Sequence, residues 1–326
     1  MKYIFLVLLN LVFLIGAAAP SNKIEIVPSE SLPLMEVIDK RNVFEKFRRQ
    51  AGANFWMVGN ALQNSLTKWK IYFRPHHNNI FLNPVLSAVT NEFVYPIAFP
   101  PENDGLYLFI HGWKGLPHYF HPYILNVKRK NPSMLCYAPH ILAEGNCTLE
   151  EAARPLLALI QDYAHQHPGK PIVLIGTSNG GRIAMYLESQ LTVEELKDRE
   201  FSLVSLAGVH YGTQFINYLA GYKLLWTTFM HEEMVKDFHW QSKTAVTCLD
   251  LWREKQQVWK EHGIMVRHFF AATTEDGQVY PLSCSLPQSP PSTTPCTYRV
   301  YPGENHLSIV PAACRDVLHW LNNYYP

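Results

Sequence analysis

From about residue 105 onward the hydrophobic pattern switches repeatedly between two periods. Short, nearly continuous apolar runs at 106–110, 134–138, 171–176, 201–207, 264–272 and 298–301 predict strands. Between them, at 149–165 and 181–190, and again at 311–323, apolar residues recur at helical spacing. The first of these helices is expected to stop before Pro168-Gly169, and it tolerates Pro155 only if that residue falls in its first turn. Strands alternating with helices predict an α/β fold: a mostly parallel central sheet with helices on both faces.

Upstream of this region the pattern is different. Lys2 precedes an almost wholly apolar stretch at 4–15, and Ala17-Ala18-Ala19 closes it with small residues. Residues 1–19 therefore read as a secretory signal peptide, with an uncleaved anchor as the other reading, although the apolar run is short of the roughly 20 residues a membrane span needs. Residues 20–104 form an N-terminal extension packed on the core, with a helix expected over 42–50 and strands over 69–73 and 92–95. Two segments interrupt the later alternation. Residues 215–262 carry helical character and many aromatics, among them Trp226, Trp240, Trp252 and Trp259, and read as a cap insertion. Residues 284–296 hold four prolines among Ser and Thr and read as a loop.

Composition narrows the function classes. The 326 residues are 48% hydrophobic and only 17% charged, which excludes disordered and fibrous classes. Lys+Arg total 28 against 27 Asp+Glu, and loss of the leader with Lys2 leaves a neutral chain. No electrostatic footprint for nucleic acid is present. The six cysteines, in an exported chain, suggest disulfides. Cys136–Cys147 and Cys284–Cys296 are the local pairs favoured, which leaves Cys248–Cys314; buried free thiols are the alternative. No C-x-x-C pair occurs and no metal site is expected. Asn146-Cys147-Thr148 matches a glycosylation acceptor that matters only in a eukaryotic secretory pathway.

The chemistry concentrates in Gly176-Thr177-Ser178-Asn179-Gly180, a G-x-S-x-G run between a strand and a helix. A strand turning sharply into a helix strains the residue at the corner. Gly176 and Gly180 remove the β-carbons that would block that turn, and Gly181 adds close packing. Ser178 is lifted clear of the sheet at a helix N-terminus. In these residues the chain resembles the α/β-hydrolase superfamily, in its lipase and esterase branch, over about two thirds of its length, from Gly105 to Tyr325. The resemblance does not reach the N-terminal extension.

That resemblance implies further roles, in the order serine, acid, histidine. His306, after the last strand and before the last helix, takes the position of the base. Thr273 to Pro281 resembles the acid-bearing stretch, with Asp276 as the acid and Glu275 as its rival one residue away. Leu106 to Trp113 resembles the oxyanion loop, so the backbone N–H groups of Trp113 and Asn179 are the expected oxyanion donors, with His111 structural beneath them. The cap falls where such proteins carry a lid and brings Trp226 to a substrate pocket, while the end of the strand just before it puts His210 and Tyr211 near the pocket mouth. The expected activity is hydrolysis of carboxylic esters, lipid or acyl, by a secreted serine hydrolase through an acyl-enzyme, without a cofactor. The partners expected are a small-molecule or lipid ester and a transient lipid interface met by the cap. A thioesterase or acyltransferase would use the same residues, and a non-catalytic binding protein of this fold is the reading from another class.

Overall fold

The computed structural model describes residues 99–216, 231–288 and 296–322, all within the compact unit Asn79–Pro326. The expected leader, the extension with its helix and strands, and Trp226 lie outside the described residues.

Six parallel strands make one sheet: β1 (Leu106–Ile110), β2 (Leu135–Tyr137), β3 (Ile172–Thr177), β4 (Phe201–Leu206), β5 (Val266–Ala272) and β6 (Cys296–Val300), in the order β2-β1-β3-β4-β5-β6. Among the described residues, and besides the single turn Val193–Leu196, six α-helices accompany them: α1 (His121–Lys130), α2 (Leu149–Gln166), α3 (Asn179–Gln190), α4 (Glu232–Phe238), α5 (Lys243–Glu261) and α6 (Ile309–Asn322). The sheet explains the apolar runs. Alternate residues of β1 enter opposite layers, Leu106, Leu108 and Ile110 packing with α2, α3 and α5, and Tyr107 and Phe109 with α1 and α6. A strand buried on both faces has no polar side to alternate with.

Two local expectations change. Pro155 lies inside α2, beyond its first turn. A helix-interior proline costs about 3 kcal/mol. Burial of Leu156, Leu159, Ile160 and Tyr163 outweighs it at about 1.5–3 kcal/mol each. The reciprocal cap of Thr148 and Glu151 fixes the helix start, Glu151 N–H donating to Thr148 Oγ1 while Thr148 N–H donates to the Glu151 carboxylate. The other change concerns the insertion. Its last helix, α5, is no cap. Trp252 and Trp259 are fully buried in the layer that also holds α3. Helical periodicity announces a buried face without saying which surface buries it.

The elbow helix α3 is tied to α5 and β5 by a buried polar knot. Glu188 of α3 accepts from Trp252 Nε1 at 3.1 Å and from Gln256 Nε2 at 2.6 Å, and meets His268 Nε2 at 2.9 Å. Burial by itself would keep His268 neutral, but the Glu188 carboxylate, with Cys296 beside it, lifts its pKa to about 10. A pKa raised above the unfolded value of about 6.5 means stabilisation complete below that value and lost as pH rises towards about 10. The unfolding midpoint is therefore expected to fall between pH 7 and 10. The fall should be shallower in Glu188→Gln, measured by thermal melts across that range; equal slopes would overturn the linkage.

The cysteine pairings are corrected. All six thiols are free. Cys136 packs on one face of the sheet and Cys147 on the other, and Cys248 and Cys314 are divided in the same way. A disulfide needs β-carbons about 3.5–4.5 Å apart, which a sheet between them forbids. Cys284 packs in a third cluster with Val209, Phe238 and Val279, whereas Cys296 opens β6 against the α3–α5 layer.

Candidate active site

Parallel register brings the candidate residues to one edge. Ile110 pairs with Gly176, Gly176 with Ser205, and Ser205 with Phe270. The residues that follow each strand end, His111 to Trp113, Ser178, Ala207 to His210, and Thr273 to Asp276, consequently leave the sheet on the same side. The strand order reverses between β1 and β3, where open parallel sheets form their crevice.

Ser178 sits between β3 and α3 with φ 57° and ψ −127°. Few residues with a β-carbon hold such a backbone, and it persists only where the surroundings impose it. Close packing does so here. A β-carbon on Gly176 would lie 2.2 Å from the Gly180 carbonyl oxygen, and one on Gly180 only 1.9 Å from that of Ile110. Gly180→Ala is expected to destabilise by at least about 3 kcal/mol, because β1 is held by its ladder to β3 and cannot retreat. Urea unfolding measures it; a loss under about 1 kcal/mol would show that the elbow yields. The Ser178 hydroxyl caps no helix N–H, and the side chain is half-buried.

This is the α/β-hydrolase fold. A six-stranded parallel sheet with that crossover, and a strained serine elbow after its third strand, decide it.

The loops after β6 and β5 carry the expected base and acid, His306 and Asp276. His306 Nδ1 lies 2.7 Å from Asp276 Oδ2, both buried. Asp276 Oδ1 accepts from the N–H groups of Gln278 and Val279, each at 2.8 Å. Glu275 accepts from the Thr274 hydroxyl at 3.3 Å. The His306 loop is shaped by Asn305, whose Oδ1 accepts from Leu307 and Ser308 N–H, while Thr273 Oγ1 donates to the Glu304 carbonyl and joins the two loops. Thr273 and Asn305 are supporting residues the sequence reading missed; Asx-turn chemistry before the helix was the available signal for Asn305.

The oxyanion loop is held from below. Ile141 N–H donates to His111 Nε2 at 3.0 Å, so Nδ1 carries the proton and donates to the Gly112 carbonyl at 2.8 Å. The backbone N–H groups of Trp113 and Asn179 have no protein acceptor among the described residues. Gly145 lies against the Trp113 backbone and the Asn179 side chain: a β-carbon there would lie 3.5 Å from Trp113 N and 3.7 Å from Asn179 Nδ2. An apolar cluster adjoins this loop. Val209, Ile216, Val279 and, from α4, Met234, Val235 and Phe238 are buried together, with Trp113, Phe215 and Trp240 packed on them.

Two expected pocket residues are placed differently. His210 is wholly buried under the elbow, so it is no pocket wall. Its Nε2 lies 2.8 Å from Ser205 Oγ. Tyr211 is half-buried, and its hydroxyl accepts from Arg253 of α5 at 3.2 Å. Position at a strand end suggested the pocket for both; complete burial removes His210 from it, whereas the Tyr211 ring lies 6.2 Å from that of Trp240 beside the apolar cluster. Arg182, one turn into α3, was not anticipated. It is fully buried, donates from Nη1 to the Asp237 carbonyl at 2.8 Å and stacks 4.5 Å over the Phe238 ring, anchoring α4 to the elbow helix.

No sequence-family model matches the chain, and no curated protein matches it in sequence. Solved structures similar to it include the lipase BlEst2 from Bacillus licheniformis in mature form, at 13% identity and TM-score 0.47, over 70% of this chain and 95% of that one. Another is Est1E from Butyrivibrio proteoclasticus with ferulic acid bound, at 13% identity and TM-score 0.44, over 68% and 90%. A third is a soluble variant of the monoglyceride lipase from Saccharomyces cerevisiae in complex with a substrate analogue, at 12% identity and TM-score 0.43, over 68% and 87%. Each is a likeness of shape, and no residue role is carried over from it.

Proposed function

We propose that the chain is an exported serine hydrolase that cleaves carboxylic esters with apolar acyl groups, through Ser178, His306 and Asp276. The observation that carries this reading is the 2.7 Å contact of His306 with Asp276 on the sheet edge where Ser178 stands strained and half-exposed.

The steps of this reading are those of a serine triad. His306 Nδ1–H donates to Asp276, which leaves Nε2 as the acceptor for the Ser178 proton. Ser178 Oγ attacks the acyl carbonyl, and the Trp113 and Asn179 N–H groups receive the oxyanion. His306 gives the proton to the leaving alcohol, and the acyl group remains on Ser178. Water, losing its proton to the same imidazole, then releases the acid. The buried cluster beside Trp113 offers the acyl chain an apolar wall, worth about 0.8 kcal/mol per methylene buried. Residues 1–19 would deliver the chain across a membrane.

A p-nitrophenyl ester series tests the substrate class. The specificity constant kcat/KM is expected to rise from acetate to octanoate by up to about fourfold per methylene, the rate equivalent of that burial energy. A flat or falling series would overturn the apolar acyl preference. Absence of turnover on every ester would overturn the reaction class.

A further inference from the structure

The loop that leaves β4 touches both halves of the candidate triad. Ser178 donates its N–H to the Leu206 carbonyl at 2.9 Å, and its own carbonyl accepts from Val209 N–H at 3.4 Å. On the acid side, His210 N–H donates to the Cys284 carbonyl at 3.0 Å, and Thr213 Oγ1 donates to the Gln278 carbonyl at 2.7 Å. The strained serine backbone is thus gripped by Leu206 and Val209, and whatever fixes those two residues fixes the nucleophile.

The loop needs fixing. Ala207 lies between them at φ 49°, in the left-handed region that residues with a β-carbon seldom enter. Ser205, the residue before Leu206, and His210, the residue after Val209, close the loop on itself through the 2.8 Å contact of Oγ with Nε2. Both are fully buried. The Ser205 hydroxyl also fills the gap between helix and loop. A β-carbon on Gly181 would lie 2.3 Å from it, and one on Gly208 2.2 Å. On its other side the imidazole stands edge-on to Phe270 of β5, with centroids 5.4 Å apart. Its Nδ1 is buried without a partner among the described residues. A buried polar atom left unpaired is costly, so an imidazole kept here for packing alone would be a poor choice against an apolar ring.

We propose that Ser205 and His210 form a latch that holds Leu206 and Val209 against Ser178, making them positioning residues for the nucleophile. The proposal rests on Ser178 as the nucleophile. Burial first, and the nearby Arg182 charge second, push the His210 pKa down to about 3. The imidazole therefore stays neutral at working pH and serves as a fixed hydrogen-bond partner, leaving proton transfer to His306.

The test uses the full chain and two readouts. One is the rate of labelling by a fluorophosphonate, with Ser178→Ala as the blank; the other is hydrogen exchange of a peptide spanning residues 176–181. Ser205→Ala removes only the hydroxyl. At a temperature where circular dichroism gives equal folded fractions, it is expected to label about 10²-fold more slowly, the scale of a small misplacement of a reacting group. Its 176–181 peptide should exchange faster, and on an ester kcat should fall while KM holds. His210→Gln, which can return an amide nitrogen near Nε2, should recover most of the rate, as a latch requires and a packing role does not. Labelling and exchange of Ser205→Ala both at wild-type levels would overturn the latch. Faster exchange with unchanged labelling would also overturn it, since positioning would not then matter to the chemistry. A wild type that is not labelled at all would overturn the Ser178 reading itself, and the latch with it as a device for the nucleophile.

Discussion

Ser178→Ala is expected to lower ester turnover by about 10⁶-fold and to leave the unfolding midpoint within a degree or two of wild type. The size follows from the mechanism. The Oγ atom is the bond-forming atom, and when a serine of such a triad is removed the remaining groups retain only the catalysis of the oxyanion site and of binding. Stability is unaffected for reasons visible around the elbow. The hydroxyl caps no helix N–H, and the contacts that hold the corner are backbone ones, to Leu206 and Val209. Alanine is no more strained than serine at φ 57°. Turnover above about 1% of wild type, with a sample free of contaminating esterase, would remove Ser178 from the mechanism.

Asp276→Asn is expected to lower kcat by about 10⁴-fold with little change in KM. The reason is a tautomer. Asp276 Oδ1 already accepts two backbone N–H groups, from Gln278 and Val279 at 2.8 Å. An asparagine would keep its oxygen there, because an NH₂ group facing two N–H donors is repelled. Its NH₂ would then face His306 Nδ1, now 2.7 Å from the carboxylate, and would hold that nitrogen as an acceptor. The proton moves to Nε2, and the imidazole can no longer take the serine proton. Glu275→Gln should cost less than about tenfold, since it leaves that contact in place. Steady-state kinetics of the two variants decide, and a larger loss in Glu275→Gln would transfer the acid role to Glu275.

The choice between Asp276 and Glu275 shows where sequence reasoning stops. Both carboxylates lie within four residues of the same predicted strand end, and one residue of rotation exchanges which faces inward. In the folded chain it is Asp276 that meets His306, held by the hydrogen bonds of Gln278 and Val279, and those bonds exist only once the loop has folded back on its own aspartate. His210 is a similar case. Its place just after β4 suggested the pocket mouth, but the turn at Ala207 and Gly208 brings the ring under the elbow, onto Ser205. Nearness along the chain suggests two disulfide pairs and elimination the third, but the sheet separates Cys136 from Cys147 and Cys248 from Cys314.

Local physics was sufficient for the rest of the framework. Five of the six strands are legible because a strand covered on both faces must be apolar at consecutive positions, and the pattern then breaks wherever a helix crosses to the next strand; β6, at the sheet edge, is only partly buried. The elbow is legible because only glycine fits where a second backbone passes within 2.2 Å of the missing β-carbon. The sequence therefore determined the parallel α/β architecture, the strained serine after β3 and the loops that carry His306 and its acid. The tertiary structure decided which surface each amphipathic helix covers, α5 lying in the core layer, and which of two neighbouring carboxylates meets the histidine. It also decided which thiols share a face of the sheet. Periodicity and turn chemistry act over a few residues and are written into the chain. Facing, register and side-chain direction arise between segments up to nearly two hundred residues apart, and they exist only when the sheet has assembled.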